Sequence, residues 1–305
     1  MIRRSASILM SDEMSKGLKS ETIAAAINEG ARVLGEGGVA EARREAASLL
    51  MHVIRRDRAF LITHADESLA LTDLAEFGRA VARRAAGEPL QYIKGRQEFY
   101  GLDFEVTPDV LIPRPETELL IEAALELLRE TSAPFICDVG TGSGCIAVAL
   151  LYERADARAL ALDISTAALR VAERNAEHNG VAARLDLLES DCLDALNRSD
   201  ADARFQIIVS NPPYVAERDL EGLQREVRDH EPRVALTPGG DGLRVIRRLL
   251  ADSPRFLDAR GHLLFEIGFN QHEAVHALID PHVWTLIDIH RDLQGIPRTV
   301  ALRKR

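Results

Sequence analysis

The stretch Ser210-Asn211-Pro212-Pro213-Tyr214 ends an apolar run, FQIIV, and carries the residue types needed to grip a planar amino group. Two consecutive prolines fix the backbone and remove two amide donors, so carbonyl oxygens project without competing N–H groups. The Asn211 side-chain oxygen and the Pro212 carbonyl form a pair of acceptors, which suits the two hydrogens of an NH2. The nitrogen of such a group has a delocalised lone pair and is a poor nucleophile. Two acceptors aimed at its hydrogens would hold it in line with an electrophilic methyl and stabilise the positive charge that develops on it. Tyr214 is expected to pack on the flat face of the acceptor. The reading makes Asn211, Pro212 and Tyr214 catalytic and Asn211, Pro212, Pro213 and Tyr214 substrate-binding, with no metal and no strong general base. The bland alternative is a turn that merely ends a strand.

A second constellation lies upstream. FICDVGTGSGCIAVALL runs an apolar strand into Gly140, Thr141, Gly142, Ser143 and Gly144 and then an apolar helix. Glycines at these positions allow a tight turn and close approach of a ligand, and the helix start offers free amides. Alone this is a weak signal, with a tight turn that holds no ligand as the bland alternative. The next strand, ALALDIS, ends in Asp163, nineteen residues beyond Gly144, where a carboxylate can accept from two ribose hydroxyls. A nucleoside cofactor follows. A pyrophosphate site usually reads GxGxxG, whereas these glycines run GxGxG behind Asp138, a carboxylate that would repel phosphate but pair with the ammonium of S-adenosyl-L-methionine (SAM). SAM is therefore expected over NAD. Asp191, at the end of the third strand, would accept from the adenine amine or, equally, cap the helix that follows.

The elements that must position these groups alternate. FICDVG, ARALALDIS, ARLDLLES, FQIIVSN, GHLLFEIG, WTLIDIH and RTVALRK read as strands with helical stretches between most of them, which predicts an α/β domain on a mostly parallel sheet. Upstream, ETIAAAINEGARVL, AEARREAASLLMHVI and TDLAEFGRAVARRAAG show helical spacing, with Thr72 and Asp73 as a helix start. The expected organisation is a flexible extension at 1–19, a small helical domain at 20–88, a hairpin linker at 89–112 and the α/β domain at 113–305.

Composition narrows the function classes. Hydrophobic residues make up 46% and charged residues 28%, as in an ordinary soluble protein. The 38 Lys and Arg against 48 Asp and Glu leave a net charge of −10, without the basic footprint of a duplex binder, so no direct nucleic-acid contact is expected. Cys137, Cys145 and Cys192 form neither a paired framework nor a CxxC, and no run reaches the roughly 20 apolar residues of a membrane span. A reducing, cytoplasmic setting without membrane contact is expected. QHEAVHALI contains His272, Glu273 and His276 as HExxH, but no extension follows it and it lies late in the α/β pattern, so it is taken for helix-surface histidines.

The series PLQYIKG, LIPRPETE, DVGTGSGCIA, SNPPY, EPRVAL with GGDGL, and LLFEIG resembles the bacterial release-factor glutamine methyltransferases, the PrmC or HemK family, from about residue 20 to 305. The resemblance implies a helical domain that contacts the release factor, a hairpin linker and a seven-stranded, Rossmann-like class I SAM-dependent methyltransferase domain. It implies methylation of the glutamine of the Gly-Gly-Gln motif in class I peptide chain release factors on its side-chain amide nitrogen, with S-adenosyl-L-homocysteine as product. By motif, Gly140, Gly142 and Gly144 lie on the cofactor, Asp163 holds its ribose and Asn211 to Tyr214 hold the glutamine. Cys192 stands where several relatives carry an aromatic beside the adenine. RPETE has no independent chemical reading at this level. An adenine-N6 methyltransferase, which shares NPPY, and a non-catalytic release-factor-binding module are the competing classes.

Overall fold

The computed structural model describes residues 21–196 and 204–305; the expected extension at 1–19 lies outside them. The chain divides into two compact units, Met1–Lys94 and Gly95–Arg305.

In the first unit α1 (Ile23–Glu36), α2 (Ala42–Ile54) and α4 (Leu71–Ala85) are the three expected helices. Two short ones are added: α3 (Arg58–Thr63), between the second and third expected segments, and α5 (Leu90–Lys94), at the start of the stretch expected as linker. Thr22 caps α1 by accepting from the Ala25 N–H at 3.2 Å, and Asp57 caps α3 by accepting from Phe60 at 2.8 Å. α4 starts at Leu71, so Thr72 and Asp73 sit inside its first turn and Ala70 occupies the cap position. The apolar faces meet in a core that includes Leu34, Leu49, Leu50, Phe77 and Val81.

The boundary between units falls later than residue 88 because α5 carries Ile93 into the helical core. The hairpin that follows, β1 (Arg96–Phe99) and β2 (Leu102–Glu105), turns on Tyr100 and Gly101, both with positive φ as a two-residue turn demands. It belongs to the second unit. Phe99 and Phe104 are buried in that unit's core, and the Glu105 backbone N–H and C=O both bond the Asn175 side chain, at 2.7 and 3.0 Å.

The second unit is built on a seven-stranded sheet in the order β5-β4-β3-β6-β7-β9-β8. Its strands are β3 (Phe135–Val139), β4 (Arg158–Asp163), β5 (Leu185–Glu189), β6 (Phe205–Ser210), β7 (Leu257–Glu266), β8 (Trp284–Arg291) and β9 (Pro297–Lys304). β9 runs antiparallel to β7 and β8, and the pairings from β5 across to β7 are parallel. The seven strand segments read from sequence are these seven.

Side chains alternate between the two faces, as strand geometry requires. Ile136, Ile207 and Val209 enter the layer with α6 (Glu118–Leu127) and α7 (Cys145–Glu153), while Cys137 and Ile208 enter the layer with α11 (Arg244–Asp252) and Val275 of α12 (His272–Leu278). β3, β4 and β5 progress outward in one direction and β6 and β7 in the other, so the order reverses between β3 and β6. Ligands of such sheets bind outside the carboxyl ends of the strands at that reversal. Among the described residues the remaining α-helices are α8 (Thr166–His178), α9 (Arg225–His230) and α10 (Arg233–Leu236).

Candidate active site

The carboxyl edge at the reversal is sewn strand to strand. Gly140 and Thr141 donate their N–H groups to the Leu162 carbonyl at 2.8 and 2.9 Å, joining β3 to β4. Ser190 donates to the Asp163 carbonyl at 2.9 Å, joining β4 to the turn after β5, and the buried Ser210 hydroxyl donates to the Val139 carbonyl at 2.7 Å, joining β6 to β3. Ser210 thus ends β6 as the residue that fixes Asn211 at the edge. A cleft opens there, lined by Gly140 to Ser143, Asp163, Asp191, Cys192 and Asn211 to Pro213, among others.

Asp163 is the fixed carboxylate of this cleft. Its Oδ2 accepts from the Gly142 N–H at 2.8 Å and its Oδ1 from the Ser165 N–H at 2.9 Å. Each carboxylate oxygen keeps a further lone pair, as two ribose hydroxyls require. Burial raises its pKa above the usual range, against the pull of those backbone amides. Ile164 beside it is half exposed (51%) and lines the same cleft, an apolar surface at a strand end that the sequence reading missed.

Gly140, Gly142 and Gly144 all take positive φ, as the turn demands. Gly144, however, does not line the cleft. A Cβ there would lie 3.0 Å from the Ala172 Cβ, so its smallness serves the packing of α7 on α8. Asp138 also departs from expectation. It is fully buried, does not line the cleft, and its Oδ2 accepts from the Thr141 hydroxyl at 2.7 Å and the Ala147 N–H at 3.3 Å. Burial pushes its pKa to about 7, and it braces the glycine loop from behind.

Asp191 lines the cleft with its Oδ1 held by Arg248 at 2.5 Å. The capping oxygen of the following turn is Ser190's, which accepts from the Ala195 N–H at 3.0 Å. Cys192 is buried against the same cleft in a left-handed conformation, its thiol pushed up to about 11 by burial.

On the other side of the cleft Asn211 follows β6. Its Nδ2 donates to the Thr117 hydroxyl oxygen at 3.0 Å; Thr117 donates in turn to Glu266 Oε2 at 2.6 Å. Tyr214 was expected to pack on the acceptor, but it does not line the cleft. Its hydroxyl donates to Glu266 Oε1 at 3.0 Å, and its ring lies so close to Gly268 that a Cβ there would meet it at 2.9 Å. A buried phenol needs a partner, and Glu266 supplies it. Burial raises the Tyr214 and Glu266 pKa values.

Comparison with known proteins agrees with this geometry. A model of the PrmC N-terminal domain matches residues 25–95, and one of the methyltransferase small domain matches residues 116–259. A release factor glutamine methyltransferase of Nitratidesulfovibrio vulgaris is 45% identical over 86% of this chain and 88% of its own length. One of Geobacter sulfurreducens is 44% identical over 88% of this chain and 92% of its own. This chain belongs to the release factor glutamine methyltransferase family. The structure of the hMettl16 catalytic domain in complex with MAT2A 3'UTR hairpin 6 aligns with a TM-score of 0.50 at 19% identity, covering 73% of this chain and 81% of that one, and shares its fold.

The cofactor of this release factor glutamine methyltransferase family member is S-adenosyl-L-methionine. Several of the motifs that carried the resemblance meet in space. Arg114, in RPETE, pairs with the buried carboxylate of Glu231, in EPRVAL, which also accepts from the Ile112 N–H at 3.3 Å. Glu118 accepts from the Tyr100 N–H at 3.0 Å and opens α6. Gly242, in GGDGL, passes so close to the clamp loop that a Cβ would sit 2.3 Å from the Tyr214 carbonyl oxygen. Thr117, Glu231 and Glu266 are, besides Ile164, residues whose part in the site sequence reasoning missed. Their only signal was membership of these motifs.

The HExxH histidines lie on α12, and among the described residues no group of three or more His, Cys, Asp or Glu is arranged to hold a metal. No described helix is long and apolar enough to cross a membrane.

Proposed function

We propose that this chain methylates the side-chain amide nitrogen (N5) of the glutamine in the Gly-Gly-Gln motif of class I peptide chain release factors, in the cytoplasm, with the helical unit contacting the release factor. Asn211 carries the reading. It lines the cleft at the end of β6 with its amide nitrogen committed to Thr117, so that its oxygen serves as acceptor beside the Pro212 carbonyl.

S-adenosyl-L-methionine supplies an electrophilic methyl on a sulfonium. The donor set fits it: Asp163 is a pinned carboxylate with lone pairs to spare for the ribose, Ile164 offers an apolar face, and Gly140, Thr141, Gly142 and Ser143 form a close backbone cradle. Asp191 and Cys192 would border the adenine. Gly144 acts through helix packing. Asn211 and Pro212 hold the two hydrogens of the glutamine carboxamide, orient its nitrogen and stabilise the charge that develops on it. Pro213 shapes the cleft wall, and Tyr214 supports the clamp through Glu266. A protonated amide is a strong acid, so its proton leaves without a dedicated base.

The relatives are release factor glutamine methyltransferases, which favours glutamine over adenine as acceptor. The test is transfer of labelled methyl from SAM to purified release factor and to the same factor with its motif glutamine changed. Label on the first alone supports the reading. Equal label on both, or label on nucleic acid only, overturns it.

A further inference from the structure

An asparagine amide has two ends of opposite hydrogen-bonding character, and only one of them can serve a clamp for an NH2 group. What decides which end Asn211 presents is a directional relay. Glu266 is fully buried on β7 with both carboxylate oxygens occupied, Oε1 by the Tyr214 hydroxyl at 3.0 Å and Oε2 by the Thr117 hydroxyl at 2.6 Å. Thr117 has a single hydroxyl proton, and a bond of that length to a carboxylate claims it. Its oxygen is then left as an acceptor. Asn211, 3.0 Å away, can meet it only with Nδ2–H, which leaves Oδ1 for the cleft. If Thr117 were free to donate to Asn211, the amide would turn over and present N–H groups to an acceptor that itself carries N–H groups.

We propose that Thr117 and Glu266 are positioning residues that set the polarity of the Asn211 amide, and so fit the clamp to an amine rather than to a carbonyl or carboxylate. This rests on the proposed amide-methylating reading for its purpose but not for its geometry. RPETE thereby acquires a chemical role: its threonine relays the polarity of a buried carboxylate on β7 to the end of β6. The other charged groups facing Glu266 are Arg298 on β9, which favours the ionised form, and Glu116 beside Thr117, which opposes it. Tyr214 faces it as a neutral donor.

The test compares Thr117→Val and Thr117→Ser with wild type in the full chain. Steady-state methyl transfer to release factor, SAM binding and the exchange rate of the Asn211 side-chain amide protons, assigned by their loss in Asn211→Ala, are measured on each. Thr117→Val should lower kcat about 10- to 100-fold, with the SAM Kd within twofold of wild type, and speed exchange of the Asn211 amide at least about tenfold. Thr117→Ser, which keeps the hydroxyl, should restore kcat to within about threefold and exchange to near wild type. Near-normal kcat and unchanged exchange in Thr117→Val overturn the proposal. So does a loss beyond tenfold in folded Thr117→Ser, which decides the matter even if the valine variant does not fold. Should wild type fail to methylate the motif glutamine while the exchange pattern holds, the proposed function falls and the relay stands.

Discussion

Asp163 and Asn211 line one cleft, yet they are held by different means. The Asp163 carboxylate is pinned by backbone amides, Gly142 on the loop after the neighbouring strand and Ser165 two residues along its own chain. Asn211 is pinned by a side chain 94 residues away, which leans on a carboxylate a further 149 residues along the chain from it. Backbone donors are present whatever the side chain beside them, so the cofactor side tolerates change in its neighbours. The clamp side depends on three particular side chains, and each of them has a direction. It should therefore break more sharply.

Asn211→Ala should have the largest effect. Removing one preorganised acceptor from the developing charge is expected to lower turnover about 10²- to 10³-fold, while SAM binding measured by calorimetry stays within a fewfold of wild type. Near-normal turnover would remove Asn211 from the mechanism and erase the contrast between the two sides.

A pair of glycine substitutions sharpens the contrast as stability. Gly242 has φ +81 and no room, since a Cβ would stand 2.3 Å from the Tyr214 carbonyl oxygen; Gly140 has φ +75 and nothing within 4 Å. Gly242→Ala combines left-handed strain with a backbone clash and should cost about 3 kcal/mol in urea unfolding, with turnover lost as the clamp loop shifts. Gly140→Ala carries the strain alone and should cost about 1–2 kcal/mol. Equal costs would show that the close approach of GGDGL to the clamp loop is not maintained in solution.

The same difference explains what could be read from the sequence. FICDV, RALALD and FQIIVS announce themselves as strands because their burial is a property of local composition, and a carboxylate ending the second of them has its position fixed by strand order. The position of Asn211 and Pro212 just past the end of β6 was legible for the same reason. Thr117 was not, because only its place in RPETE marked it and that motif carries no chemistry by itself; its meaning comes from the fold bringing β6 and β7 to it. Tyr214 was misread because a tyrosine beside a clamp suggests an aromatic wall, whereas burial of its hydroxyl turned it to Glu266. Asp138 was misread by position: a carboxylate one residue before the strand's end points into the layer behind the cleft, and 0% exposure keeps it there. The hairpin β1–β2 lies inside the stretch expected as a linker, and its attachment through Asn175 depends on a residue 70 positions on.

Asp163→Ala tests the cofactor side directly. Loss of hydrogen bonds between a carboxylate and two hydroxyls should weaken SAM binding by about 1.5–3 kcal/mol, or roughly 10- to 100-fold in Kd, with kcat at saturating SAM much less affected than in Asn211→Ala. A fall in kcat as large as that of Asn211→Ala, with unchanged Kd, would mean that the two sides of the cleft are not separable.

Asp138 gives the smallest effect per step and the one whose sign is most constrained. Burial raises its pKa in the fold from the ordinary 3.8 to about 7, outweighing the Thr141 and Ala147 hydrogen bonds that favour the charged form. Below 3.8 both folded and unfolded chains hold the proton and the residue contributes no slope. Between 3.8 and about 7 the unfolded chain releases it while the fold retains it, so stability contributed by the neutral carboxyl declines as pH rises, by about 1.4 kcal/mol per pH unit. Above the folded value the slope vanishes. Asp138→Asn keeps an acceptor for Thr141 and cannot titrate. The unfolding free energy of wild type minus that of the variant, measured in urea at pH 5 and pH 6, should therefore fall by about 1.4 kcal/mol over that single unit. A flat difference would mean that the carboxyl is already ionised in the fold at pH 5, and that the glycine loop is braced by an ion rather than by a neutral acid.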